Sequence, residues 1–184
     1  RMAGLRDEVA ALPGPKKNLA LDLGGGVTMQ FVLIRPGSFT MGADKSQSST
    51  DEKPAHKVAL TEPFYLGKYE VTQEQWEKVM GSNPSGFKGP KLPVESVSWD
   101  DCLSFLAKLK EKLTGYELQK LTGYEFRLPT EAQWEYACRA GNTGDYCFGD
   151  GDASLGEYGW YASNAGSQTH PVGEKKPNAW GLYD

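Results

Sequence analysis

The sequence predicts an irregular α+β fold built from short strands, a few helices and much loop. Three observations predict it. The β-rich apolar runs are short, and the longest is Val27–Ile34 (VTMQFVLI). Helical periodicity begins only after capping residues: Thr72 and Thr130 each have a Gln three positions on, and Ser98 has Asp101 in the first turn. Finally, 22 Gly and 11 Pro interrupt the chain, while five Trp, nine Tyr and seven Phe supply large anchors for loops. A length of 184 residues suits one domain with a sizeable core.

Residues 1–26 read as an N-terminal extension or linker, with Leu5, Val9 and Leu12 on one face of a short helix that Pro13-Gly14-Pro15 ends. The domain proper is read as 27–184. Leu19–Leu23 is short and apolar, and Gly24-Gly25-Gly26 turns the chain. No Lys-Ser/Thr follows these glycines, so they are not a phosphate loop. Strands are expected at Val27–Ile34, Ser38–Gly42, His56–Leu60 and Phe64–Glu70, with 43–53 an exposed loop. Thr72 opens a helix that buries Trp76, Val79 and Met80. Gly81–Pro93 is a loop, and Ser98 opens a helix with Cys102, Phe105, Leu106, Leu109 and Leu113 as its stripe.

The string Leu-Thr-Gly-Tyr-Glu occurs at 113–117 and again at 121–125. Two copies at a period of eight are too few and too short for a solenoid and read as a lengthened loop. Arg127–Leu128 is expected as a short buried strand, Pro129 as a corner, and Thr130 as the cap of the central helix. Glu131 suits the positive end of that helix and Arg139 the negative end. Trp134, Ala137 and Cys138 are expected to face inward, and Gly141 to stop the helix. Beyond it, Tyr146, Phe148, Tyr158, Trp160, Tyr161 and Trp180 argue for an ordered tail held by aromatic packing and ions.

A net charge of −4 gives no basic footprint for nucleic acid, and no apolar run approaches a membrane span. Three cysteines without a CxxC argue against a disulfide framework and a zinc site. Cys102 and Cys138 read as small buried hydrophobes. No G-x-S-x-G exists, and His56 and His170 read most simply as a strand-edge residue and a hydrogen-bonding loop residue. Glu131 and Glu135 share a helix face and could pair for acid–base work, although capping or solvated carboxylates are far commoner. Asp150, Asp152, Asn164 and Asp184 lie in glycine-rich loops. Such oxygen-rich material suits calcium, about evenly balanced against plain turn chemistry.

Eight strings occur in one order: Ile34-Arg-Pro-Gly-Ser-Phe-Thr-Met-Gly42, Glu52-Lys-Pro-Ala-His-Lys-Val58, Phe64-Tyr-Leu-Gly-Lys-Tyr-Glu-Val-Thr72, Pro93-Val-Glu-Ser-Val-Ser-Trp99, Arg127-Leu-Pro-Thr-Glu-Ala-Gln-Trp-Glu-Tyr136, Phe148-Gly-Asp150, His170-Pro-Val-Gly173 and Pro177-Asn-Ala-Trp-Gly-Leu-Tyr-Asp184. In this order the chain resembles the formylglycine-generating enzyme (sulfatase-modifying factor) family. The resemblance implies an irregular fold like a C-type lectin, with structural calcium. It implies Asn164 with the Ala165 carbonyl at one calcium position, Asp184 at a second, and Glu70 as a further acidic ligand. In the true enzymes it implies copper- and oxygen-dependent oxidation of a cysteine in a sulfatase peptide to formylglycine.

The resemblance sets the family's Trp-rich segment, both copper-binding cysteines and the peptide-binding residues after Asp184. The 184 residues are therefore expected to carry scaffold, completed by a following segment or a partner chain, with copper only where that segment is present. Three readings follow: an oxidase, or an iron-dependent sulfoxide-synthase relative on the same scaffold; a non-catalytic module binding a protein or other ligand, including retroelement-diversified variable proteins; and a structural domain of a larger bacterial protein. The compartment is open, leaning to the cytoplasm. Arg1 reads as a processed or cut start, so an export signal could have preceded it.

Overall fold

In a computed structural model the described residues are 17–44, 49–113, 121 and 123–184. The expected 1–12 helix and half of the residues of the two Leu-Thr-Gly-Tyr-Glu copies lie outside them. The first sheet has the order β1-β2-β5, from Asn18–Asp22, Thr28–Ile34 and Phe64–Gly67. Both pairings are antiparallel, with Leu21 opposite Met29 and Leu33 opposite Tyr65. A separate hairpin pairs β3 (Gly37–Met41) with β4 (His56–Leu60). Strand β1 lies inside the span read as an extension, yet Leu19, Leu21 and Leu23 alternate inward and join the core. The three glycines after it all take positive φ, at 84°, 66° and 81°, which closes the β1–β2 turn where a side chain would be strained.

Because β2 is the central strand, its two faces feed two cores. Met29 joins Leu19, Leu21, Leu23, Trp76, Phe105, Leu109 and Leu113 on one side. Val32 and Ile34 join Tyr136 and Ala137 on the other. Helix α1 (Gln73–Met80) and helix α2 (Trp99–Lys112) both start in complete capping boxes, at Thr72–Gln75 and Ser98–Asp101. They meet through a parallel stack of Trp76 on Phe105, with ring centroids 5.0 Å apart. Val79 and Met80 pack at the edge of the same core, as their spacing predicts. Among the described residues no helix is long and apolar enough to cross a membrane.

Helix α3 (Glu131–Arg139) also begins in a full capping box, Thr130–Gln133, as the sequence predicts. Four local expectations are corrected. Residues 124–130 form no strand; the Arg127 guanidinium instead donates to Gln133 Oε1 at 2.8 Å and so ties the segment to the helix start. Strand β5 ends at Gly67 rather than at Glu70. The helix stops at Ala140, left-handed at φ 48°, one residue before the glycine expected to stop it.

The fourth correction concerns the inward face. Trp134 is 58% exposed and Cys138 is exposed, while Gln133, Tyr136, Ala137 and Ala140 are buried. Both stripes satisfy helical periodicity. Gln133 decides between them, because its side chain must turn inward to accept from the Thr130 N–H and from Arg127. That choice rotates Trp134 into water.

Candidate functional site

Helix α3 is the hub from which the irregular second half is hung. Tyr136 packs against Phe39 of β3 at 5.3 Å and edge-on to Trp180 at 4.8 Å. Glu135 Oε1 accepts from the Gly42 N–H at 3.0 Å and from Arg139 Nε at 2.7 Å. Arg139 then donates to the carbonyls of Gly144 and Gly42, at 3.0 and 3.3 Å. Glu135 is thus a structural clamp, and the notion of a Glu131–Glu135 acid–base pair finds no support in its bonding. Asn178 Nδ2 donates to the carbonyls of Ala137 and Cys138, the free carbonyl end of α3, while its Oδ1 accepts from the Trp180 and Leu182 N–H groups.

The tail is ordered by rings, as its composition predicts. Tyr146, Phe148 and Tyr158 form a run of stacks at 5.0 and 4.7 Å, beside the short helix α4 (Leu155–Tyr158). Trp160 lies between the His170 imidazole and the Lys175 ammonium, each 3.7 Å from its ring centroid. His170 Nε2 donates to the Ala165 carbonyl at 2.8 Å, so it is a loop-fastening residue, as expected. His56 Nδ1 donates to the Pro54 carbonyl at the strand edge.

The four residues expected to hold metal fall into two pairs. Asn164 Oδ1 accepts from the Tyr161 N–H at 2.8 Å, its Nδ2 donates to Gly159, and the Ala165 carbonyl faces His170. Each of these oxygens keeps a second lone pair but already faces a protein donor. The buried Thr169 hydroxyl, one residue before His170, has no hydrogen-bond partner.

Asp184 and Glu70 form the other pair. Asp184 Oδ2 accepts from the Gly173 N–H at 2.6 Å, and Tyr183 stacks on Tyr69 at 4.9 Å. Lys68 Nζ sits over both tyrosine rings, at 5.1 and 5.3 Å. Glu70 keeps an exposed surface by area. Protein atoms nevertheless crowd its carboxyl, and that desolvation, with the charge of Asp184 added, pushes its pKa above the ordinary range. Two carboxylates near enough for one to raise the other's pKa are chemically suited to a hard divalent cation. Among the described residues no cluster of three or more His, Cys, Asp or Glu is assembled for metal.

All three thiols are held above their ordinary pKa, with desolvation by surrounding protein atoms the first cause even for Cys138, whose residue is exposed by area. Sequence periodicity gave no signal for Gln73, which is 1% exposed and organises the 83–95 loop. Its Nε2 donates to Phe87 and Pro93, and its Oε1 accepts from Asn83 and Gly89.

The sequence model of the sulfatase-modifying factor enzyme 1-like domain matches residues 25–184. The chain is 36% identical over 199 aligned residues to the chaperone protein LppX of Paenibacillus barcinonensis, covering 86% of this chain and 68% of that protein. It is 27% identical over 220 aligned residues to the formylglycine-generating enzyme of Bos taurus, covering 84% of this chain and 54% of the enzyme. Among solved structures, Treponema denticola variable protein 1 superposes with a TM-score of 0.77 at 31% identity, over 91% of this chain and 73% of that one. PvdO from Pseudomonas aeruginosa follows at 0.71 and 28%, over 92% and 71%. These likenesses support the lectin-like irregular architecture.

Proposed function

The chain belongs to the sulfatase-modifying factor enzyme 1-like domain family, and from that premise we propose that it is a polypeptide-recognition scaffold. The observation that carries the reading is the placing of large apolar side chains in water on rigid supports. Trp99 is 66% exposed and Trp134 58%, and each stands in the first two turns of a helix locked by a capping box. Leu103, one turn after Trp99, is 45% exposed on the same helix. Exposed aromatics held by ordered backbone are the side chains that anchor protein contacts, because little conformational freedom remains to be lost on binding. A relative named as a chaperone protein, at 36% identity, agrees with this reading.

The test is aggregation of chemically denatured citrate synthase, followed by light scattering with the chain added. Suppression by the wild type, weakened in Trp99→Ser and Trp134→Ser variants with unchanged melting, supports recognition. No suppression at any ratio counts against it.

The second reading is oxidation of a sulfatase-type cysteine to formylglycine, favoured by the 27% identity to the bovine enzyme over most of this chain. Copper held by soft thiolates would supply the oxygen-using redox chemistry. On this reading the chain contributes scaffold and positioning to that chemistry. Incubating the completed protein with Cu(I) and a Cys-x-Pro-x-Arg peptide, then searching for the aldehyde by mass, separates the two readings. Calcium, on either one, binds Asp184 with Glu70 and relieves their mutual repulsion, with Asn164 and the Ala165 carbonyl as the second oxygen site.

A further inference from the structure

We propose that the cavity between the β1–β2–β5 sheet and helices α1 and α2 is a binding site for an uncharged, apolar small molecule. Its volume is about 330 Å³, and Leu21, Met29, Tyr65, Trp76, Phe105 and Leu109 are among its walls. That volume lies within the range of small-molecule sites, about 300–1,000 Å³. It is also far larger than the voids that close packing leaves in a core, few of which exceed one water. Yet the walls include some of the best-buried residues of the domain: Leu21 is 0% exposed and Leu109 1%. They are also stiff. Trp76 and Phe105 stack nearly parallel, and Tyr65 meets Tyr124 edge-on at 5.1 Å.

The lining favours an apolar occupant. The Gln75 side chain is already committed, accepting from the Thr72 N–H and donating to the Thr28 carbonyl. Arg127 directs its guanidinium to Gln133 and the Leu128 carbonyl. Cys102 and Tyr65 on the wall are displaced toward their neutral forms, with desolvation the first cause in each case, and Glu70, Glu125, Tyr69 and Tyr124 also line the space. Against the Leu, Met, Trp and Phe side chains that make up much of the lining, a ligand's charge would lose hydration with little in return. Apolar rings or chains fit such a lining.

The experiment titrates the intact chain with N-phenyl-1-naphthylamine, a neutral probe, and with 1-anilinonaphthalene-8-sulfonate, its anionic counterpart. Saturable one-to-one binding of the neutral probe with blue-shifted emission is expected, at least ~tenfold tighter than the anion. Leu106→Trp, which fills the space from α2, should abolish it while leaving the circular dichroism unchanged. Should that variant not fold, methyl NMR on the wild type decides: resonances of Met29 and Leu21 must shift on probe addition. Three results would overturn the proposal: no saturable binding, equal affinity for the anion, or binding lost in Trp134→Ser while the Met29 and Leu21 methyls stay fixed.

Discussion

Gly37 and Tyr136 offer a quantitative test of how α3 seats on the strands. A Cβ at Gly37 would stand 2.1 Å from Tyr136 Oη and 3.2 Å from Cζ. The ring cannot swing away, because Phe39 and Trp180 hold its two sides at 5.3 and 4.8 Å. Gly37→Ala should therefore overpack the contact at a cost of about 1–3 kcal/mol, offset by the ~0.5–1 kcal/mol that Ala gains over Gly in a strand. The net loss is about 1–2 kcal/mol. Tyr136→Phe removes only a long hydrogen bond, 3.4 Å to the Arg35 carbonyl, and should cost about 0.5 kcal/mol. It also removes the atom that clashes. The double variant should then be about as stable as Tyr136→Phe alone, a favourable coupling of about 1–2 kcal/mol. Urea denaturation of the four proteins measures it. Additivity within ~0.5 kcal/mol would falsify the wedged geometry.

Three further outcomes follow from the same structure. Trp134→Ala should change stability by less than ~0.5 kcal/mol in urea, since the side chain is 58% exposed; a loss of core size would mean that α3 is rotated the other way. Gln73→Ala strands the partners of four buried hydrogen bonds and should cost about 2–4 kcal/mol, with the Gly89 amide exchanging faster by hydrogen–deuterium mass spectrometry. For Glu70 the folded pKa is raised, so its stabilising contribution is present below its ordinary value of 4.5 and lost as pH rises through the folded value. In EDTA, Glu70→Gln should accordingly melt higher than wild type at pH 7 and level with it near pH 4, whereas saturating calcium should raise the wild type more than the variant, each site adding about 2.7 kcal/mol at 100-fold over Kd. Identical melting curves with calcium and with EDTA would remove the cation from this site.

Elements whose signals are local were legible in the sequence. The capping boxes at Thr72, Ser98 and Thr130 name their partners within three residues, and all three helices begin where those residues put them. The order of eight motifs carried the family and the architecture. What was not legible depends on partners far along the chain. Two stripes of α3 fit the helical period equally, and the choice between them rests on Arg127 reaching Gln133 and on Trp180 reaching Tyr136. Leu19, Leu21 and Leu23 read as a linker because no periodicity shows that β2 lies beside them. Asp184 and Glu70 were named as separate ligands by the resemblance, and their proximity was not legible, since the tail reaches that region by returning to Lys68 through the Tyr183 N–H.

Asn178 holds the end of α3 from a position 41 residues downstream of Ala137. During synthesis the helix therefore leaves the ribosome with its last carbonyls open to water, and with Tyr136 lacking the indole that covers it. Only when Asn178 and Trp180 emerge can the second core close. The nascent chain would expose that apolar face throughout the interval, the period in which a trigger-type chaperone, or a slow stretch of codons, would most affect how much protein folds.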